Sequence, residues 1–506
     1  MRTLIAAIDQ GTTSTRCIVY APDFSKLASA QREHRQSMPQ PGWVEHDAAE
    51  ILANAEQVIA EALASCHAQP AEVAAIGITN QRETFLLWDR KTGEPCAPAI
   101  VWQDSRSKAI CDELRAHPRA DELAARTGLP IATYFSGPKL AWLLRERSDL
   151  RAAAQRGDLA FGTIETWLIW NLSGGADGGV HVTDLTNACR TFLVDIERGE
   201  WDAELLEWMG VPAAILPRIV ANAEPGGWAN TPEDGPFGSS VPICGAIGDQ
   251  QAALVGQRCF EAGDAKNTYG TGCFLLWNTA HELVKSNAGM LTTVGYQLPG
   301  TAPSYALEGS VAVAGSLIQW LRDQLGMIEH AVDVEALALS VPDHGDVHLV
   351  PAFSGLFAPR WRPDARGVIC GLTHHSSRAH IARAAIESTA FQVRELIDAM
   401  RTDTGLPAPA LRVDGGMAAN DLLLQFQADL LGIPVERGGD LESTALGAAT
   451  MAALAQDICT DAQALRASRS TQRVFQPQLA ADRVERRMHD WRKAVERSLN
   501  WVEDAR

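Results

Sequence analysis

Several polar stretches follow apolar runs, and their side chains are of the kinds that bind phosphates, cations and hydroxyls. Asp9-Gln10-Gly11-Thr12-Thr13-Ser14 lies between the apolar runs Leu4 to Ile8 and Cys17 to Tyr20. Small residues in a tight turn can aim N–H groups and hydroxyls at a phosphate, while a carboxylate at the strand end can hold Mg²⁺ through water. Thr12, Thr13, Ser14 and Arg16 are therefore candidates for an anion and Asp9 for a cation; an ordinary hairpin with a polar tip fits the same residues. Thr79-Asn80-Gln81-Arg82-Glu83-Thr84 interrupts another apolar run. Arg82 and Glu83 set donors beside an acceptor, as the neighbouring hydroxyls of a polyol demand, since each both gives and takes a hydrogen bond. A surface ion pair is the simpler alternative. Trp102 ends the run Ala99 to Val101 and either walls a pocket against CH groups or belongs to the core. Asp249 is delivered by the apolar run Pro242 to Gly248 into an Ala-rich helical segment. There it can accept the proton of a hydroxyl that attacks phosphorus, or simply cap the helix.

The elements that must position these residues are legible in outline. Leu4–Ile8 and Cys17–Tyr20 read as strands joined at Gly11. Ala48 to Cys66 has helical spacing with Asp47 as N-cap, Ala74 to Ile78 is a buried strand, and Phe85 to Trp88 is its continuation or return. A helix follows from Ser107 to Arg115, and Tyr134 to Lys139 is a loop opening a helix. Phe161 to Trp167 runs from strand into helix, Ser173 to Gly179 is an exposed turn, and residues 221–240 form a long surface loop. The second half restarts the first. Ala265 to Leu276, with Tyr269-Gly270-Thr271-Gly272 at its centre, is another Gly and Thr hairpin between apolar strands. Gly315 and Gln319, four apart on a helix, share one face. Leu411 to Asn420 is strand, Gly turn and helix start, which lets a helix N-terminus face a phosphate. Two hairpins suggest two domains, 1–252 and 253–506, that close on one nucleotide.

A chain of 506 residues is too long for one ordinary domain, and 46% hydrophobic content fits a globular protein. The formal charge of −18 argues against tracking nucleic acid or anionic lipid, so any phosphate site is built locally. Ten cysteines without a CxxC pair read as reduced thiols in a cytoplasmic protein. The N-terminus lacks the pattern of a signal peptide, and no apolar stretch approaches a membrane span. Walker A, Gly-x-Gly-x-x-Gly, Gly-x-Ser-x-Gly and His-Glu-x-x-His motifs are absent, which argues against the enzyme classes that use them.

Taken in order, Asp9 to Ser14, Pro41 to Asp47, Gly77 to Thr84, Gly248 to Gln251, Lys266 to Phe274 and Arg412 to Gly416 resemble the FGGY carbohydrate kinases nearly end to end. Asn80-Gln81-Arg82-Glu83 and Gly248-Asp249-Gln250-Gln251 are similar to the branch that phosphorylates glycerol rather than pentuloses. The resemblance implies an α/β fold of two actin-like, ribonuclease H-like ATPase domains with a deep interdomain cleft. It implies transfer of a phosphoryl group from ATP, with Mg²⁺, to glycerol, giving sn-glycerol 3-phosphate. It assigns Arg82, Glu83, Tyr134, Asp249 and Gln250 to the glycerol hydroxyls, Trp102 and Phe274 to its carbon face, and Asp249 to proton abstraction. Thr12, Thr13, Ser14 and Arg16 would line the phosphates, and Asp9 with Asp249 would position Mg²⁺ through water. Thr271, Gly315, Gln319, Gly416 and Asn420 would hold the nucleotide, and a homo-oligomer, dimer or tetramer, is implied. A kinase for another small polyol or ketose, or a non-catalytic ATP-binding sensor of the same fold, are the alternatives. The chain departs from the family at Ser240, where members inhibited by fructose 1,6-bisphosphate carry Arg. It has no His within 221–240 to accept an activating phosphate, and Arg360-Trp361-Arg362-Pro363 replaces the usual Tyr-Trp-Asp-Pro.

Overall fold

The computed structural model describes residues 2–439, 442–459, 465–466 and 471–502. Side chains of the first strand, Leu4–Gln10, alternate between two buried faces. Leu4, Ala6 and Ile8, with Cys17 and Val19 of the next strand, pack against Ile51, Ala55 and Val58 of the Ala48–Ser65 helix. Ile5, Ala7, Ile18 and Tyr20 face the other way, onto Ala252, Val255, Ala448 and Ala452. Strands apolar on both faces suit a sheet covered by helices on each side. Asp47 starts the first helix, its carboxylate accepting from the N–H groups of Ala49 and Glu50.

Among the described residues this sheet has six strands, in the order Ala229–Asn230, Pro242–Gly248, Val73–Asn80, Leu4–Gln10, Ser14–Tyr20, Lys26–Glu33. A second, seven-stranded sheet runs Leu291–Tyr296, Ser304–Val311, Cys273–Ala280, Ala265–Tyr269, Leu411–Asp414, Val435–Gly438, Thr471–Phe475. From Ser304–Val311 onward it repeats the first sheet read from Lys26–Glu33, strand for strand. Each has two antiparallel pairings, then two parallel ones, then an antiparallel edge strand. The duplication suggested by the two Gly and Thr hairpins thus lies in the pairing of the strands themselves.

Two local expectations change. Phe85–Asp89 neither continues nor returns beside Val73–Asn80; it pairs antiparallel with Leu159–Thr163 in a separate five-stranded sheet. The chain leaves the first sheet after Asn80, and at Glu83 a left-handed φ of 63° turns the backbone away from strand geometry. Residues 221–240 are not all surface: Asn222, Ala223, Thr231 and Phe237 are buried, and Asn222 Nδ2 donates to Asp184 Oδ1 and the Ala246 carbonyl, both at 2.8 Å. The arginines at 360 and 362 have partners, Arg360 forking onto Glu395 at 2.6 and 3.1 Å and Arg362 onto Asp364 at 2.6 and 2.7 Å. The Asp249–Gly256 helix runs unbroken past residue 252, and the chain enters the second sheet at Ala265. Ser443–Ala455, late in the chain, lies against the first sheet and the Asp249–Gly256 helix. Among the described residues no helix is long and apolar enough to cross a membrane.

Candidate active site

Arg82 and Glu83 follow the end of the Val73–Asn80 strand, and both are buried. Their surroundings exclude the surface ion pair. Arg82 Nε pairs with Asp249 Oδ1 as an ion pair at 2.9 Å, and its two terminal nitrogens donate to Glu308 at 2.5 and 3.1 Å. Glu83 Oε1 accepts from Arg190 Nε at 2.6 Å, and Arg190 Nη2 reaches Glu308 Oε1 at 3.4 Å. Arg82, Glu308, Arg190 and Glu83 therefore form one buried alternating chain of charges, with Asp249 attached to Arg82. Glu308, in the middle of it, comes from the Ser304–Val311 strand of the second sheet. Burial opposes its charge, yet Arg190 and Arg82 hold its carboxyl down at about 2.

Asp249 opens the Asp249–Gly256 helix in its first turn, with Gly248 rather than Asp249 as the cap. Its Oδ1 also accepts from the Gln250 N–H at 2.6 Å, while the side chain keeps 27% of its surface exposed. That remaining access is what a proton acceptor needs. Gln250 Oε1 accepts from Lys266 Nζ at 2.6 Å, and the same ammonium donates to Thr268 Oγ1 at 3.0 Å. Burial lowers the Lys266 pKa to about 8, against the pull of Asp414.

Two aromatic walls stand at the end of the smaller sheet. The Trp102 and Tyr134 rings meet edge to face with centroids 5.4 Å apart. They are fixed from behind by Lys139, wholly buried, whose Nζ donates to the carbonyls of Val101, Trp102 and Tyr134 at 3.1, 3.4 and 3.0 Å. Burial brings the Lys139 pKa down to about 7, although Glu83 and Asp104 resist the fall. Trp102 Nε1 donates to Thr12 Oγ1 at 3.0 Å, which ties the aromatic wall to the first hairpin. Phe274 is half-buried across from Thr268 and Ser310 on the second sheet.

The first hairpin closes with Gly11 N donating to the Ser14 carbonyl at 2.8 Å, leaving Thr13 exposed at its tip. Ser14 Oγ accepts from Gln31 Nε2 at 3.0 Å. Arg16 lies along the strand, held by Gln31 Oε1 and by Glu442. Asp9, opposite Arg16 in register, is half-buried. Burial raises its pKa to about 6, with Arg16 opposing and Asp249 adding repulsion, so the two carboxylates feel each other.

A cavity of about 360 Å³ opens on the second sheet, and Thr271, Gly315, Gln319, Gly416 and Asn420 all line it. The two glycines serve it differently. A Cβ at Gly315 would sit 2.5 Å from the Gly270 carbonyl oxygen, so a side chain there would strain the hairpin, whereas Gly416 faces open space. Asn420 caps the Asp421–Leu431 helix through the Leu423 N–H, putting that helix N-terminus at the cavity.

Residue pattern alone missed Glu308, Arg190 and Lys139, which hold the expected residues in place. Glu308 carried a signal in the sequence, a lone carboxylate in the apolar run Ala306-Leu307-Glu308-Gly309; Arg190 and Lys139 carried none.

The model of the FGGY family of carbohydrate kinases, N-terminal domain, matches residues 4–256, and that of its C-terminal domain matches residues 265–456. The chain is 53% identical to the glycerol kinase of Pseudarthrobacter chlorophenolicus, covering all of this chain and 99% of that protein. It is 52% identical to glycerol kinase 2 of Streptomyces avermitilis, covering 99% and 98%. Among solved structures it is similar to Plasmodium falciparum glycerol kinase with ADP, at TM-score 0.92, 36% identity and 99% coverage of both chains. A xylulose kinase from Rhodospirillum rubrum shares the fold, at TM-score 0.84, 24% identity and coverage of 97% and 98%.

Proposed function

The chain belongs to the FGGY family of carbohydrate kinases, and from that premise we propose that it phosphorylates glycerol with ATP to give sn-glycerol 3-phosphate. The observation that carries this is the Arg82–Asp249 contact beside the Trp102 and Tyr134 walls, with a cavity lined by Gly315, Gln319 and Asn420 on the facing sheet. Its two-domain actin-like fold is that of the family's solved members.

In this assignment Arg82, Glu83 and Tyr134 hydrogen-bond the acceptor hydroxyls with Gln250 close by, and Trp102 and Phe274 cover its carbon face. Asp249 accepts the proton of the terminal hydroxyl as that oxygen bonds to the γ-phosphorus. The bond from this phosphorus to the β,γ-bridging oxygen breaks in line, and ADP keeps that oxygen. Thr12, Thr13, Ser14 and Arg16 line the phosphates, and Thr271, Gly315, Gln319, Gly416 and Asn420 hold the nucleotide. Water competes with glycerol for phosphorus, so catalytic geometry is best completed by substrate-driven closure.

Asp9 and Asp249 are the carboxylates that would hold Mg²⁺ through water. The raised Asp9 pKa, driven by burial and added to by Asp249, fits a site whose repulsion a divalent cation relieves. Bound there, Mg²⁺ would neutralise charge on the β- and γ-phosphates. Below about pH 6 Asp9 takes up a proton, so Mg²⁺ affinity should weaken by about tenfold per pH unit. Calorimetric Mg²⁺ titration of the nucleotide complex between pH 7.5 and 5 checks this; a flat affinity would remove Asp9 from the metal site.

The function is tested by ADP release from MgATP with glycerol, xylulose, ribulose, erythritol or no acceptor. Strong turnover with glycerol alone is expected, and preference for a longer polyol would overturn the acceptor assignment. None of the ten cysteines is in a disulfide, which supports a cytoplasmic location. We assign a homo-oligomer by family resemblance, and sedimentation of the pure protein checks it.

A further inference from the structure

We propose that Glu308 is a positioning residue for glycerol phosphorylation, supplied by the second domain to hold the acceptor site of the first. The proposal rests on the function assigned above. Glu308 touches none of the groups assigned to the reacting atoms except through Arg82 and Arg190, but those two contacts orient most of the acceptor site. Its two oxygens fork onto the terminal nitrogens of Arg82 at 2.5 and 3.1 Å, which fixes the guanidinium plane and leaves Nε for Asp249 at 2.9 Å. Such a bidentate pair sets angle as well as distance. Through Oε1, Glu308 also meets Arg190, whose Nε holds Glu83 at 2.6 Å. Arg190 Nη1 is buried without a hydrogen-bond partner among the described residues, and the guanidinium lies 5.8 Å from the Tyr134 ring centroid and 5.4 Å from that of Phe135. One carboxylate thus stands behind Arg82 and Asp249 on one side and Glu83 and Tyr134 on the other.

The side chains of Glu308, Arg82, Glu83 and Arg190 are each no more than 2% exposed. Buried charges are retained only when each has its partner, because removing one leaves the others desolvated and uncompensated. Without the Glu308 charge, Arg82 and Arg190 compete for Glu83 and Asp249, and Arg82 loses the fork that orients its guanidinium. The cavity on the second sheet is lined by none of these residues. The expected effect is therefore on the acceptor and its reaction, with nucleotide binding spared.

The test compares wild type, Glu308→Gln and Glu308→Asp in steady-state kinetics with glycerol and MgATP, alongside thermal melting. Glu308→Gln should lower kcat/KM for glycerol by about 100-fold, the scale of a misplacement near 1 Å at a reacting centre. Its KM for MgATP should stay within about threefold, and Glu308→Asp, which keeps the charge, should recover at least about tenfold of the loss. A merely structural residue would shift both substrates and the melting midpoint together, and that result would overturn the proposal. Glycerol kinetics of Glu308→Gln within threefold of wild type would overturn it too. If Glu308→Gln fails to fold, Glu308→Asp decides alone: a raised glycerol KM with unchanged MgATP KM supports the role, and parallel changes reject it. Wild type that ignores glycerol would overturn the functional assignment itself, whereas wild type that takes glycerol beside an unaffected variant overturns only the positioning role.

Discussion

Asp249→Asn should lower kcat by roughly two to four orders of magnitude, the usual size of a lost general base, while changing KM for glycerol little. The contacts on this carboxylate explain the split. Oδ1 lies 2.9 Å from Arg82 Nε and accepts from the Gln250 N–H, and an Asn carbonyl oxygen can take the same place. Oδ2 is the oxygen we assign to the hydroxyl proton, and Asn places an NH₂ there. That group donates where the mechanism needs an acceptor, and it cannot take up a proton at neutral pH. The helix whose first turn carries the residue is unchanged, so shape and acceptor binding survive. Steady-state kinetics with glycerol, and a melting curve to show that the variant is folded, check the result. Near-normal turnover would remove Asp249 as the base and leave it as an anchor for Arg82.

Local chemistry made much of this site legible before the fold was known. The hairpins at Gly11 and Gly270 are marked by apolar runs on either side, and both arms lie within a few residues of the turn. Asp249 was readable because a strand and a helix meet at it. What local pattern could not supply was the partner of each charge. Arg82 is 226 residues from Glu308, and Arg190 is 107 from Glu83; no window of sequence holds both members of either pair. Taken alone, Arg82-Glu83 therefore looked like a solvent ion pair, although both are buried. The path of Phe85–Asp89 was obscured for a related reason. Its apolar residues suit any strand, and the left-handed turn at Glu83 decides which sheet it joins. Glu83 is not a residue type that advertises such a turn.

The Ser443–Ala455 helix was least legible of all, since its Ala-rich sequence has no apolar stripe, and its packing yields the second large expected effect. Gly447→Val should destabilise the protein by about 3 kcal/mol and lower kcat with it. A Cβ at Gly447 would lie 1.9 Å from the Ala252 carbonyl oxygen and 2.5 Å from its carbon, both backbone atoms of the Asp249–Gly256 helix. At the other end of the same crossing a Cβ at Gly256 would meet the Ser443 carbonyl oxygen at 1.9 Å. The helix cannot retreat. Beneath it Gly77 and Gly245 leave no room, since a Cβ on either would fall 2.1 Å from the Ala448 oxygen or 2.7 Å from the Ala452 nitrogen. In an open helix, Gly→Ala would gain about 1 kcal/mol from propensity, so even Gly447→Ala tests the crossing by the sign of its effect. Both variants must push apart two helices that join the halves of the molecule, and one of those helices carries Asp249 in its first turn. The expected signature is a falling melting midpoint accompanied by a falling kcat, larger for Val than for Ala. Gly447→Ala that raises the melting midpoint would mean that the helices separate freely, and Gly447→Val with wild-type kcat would uncouple this crossing from the placement of Asp249.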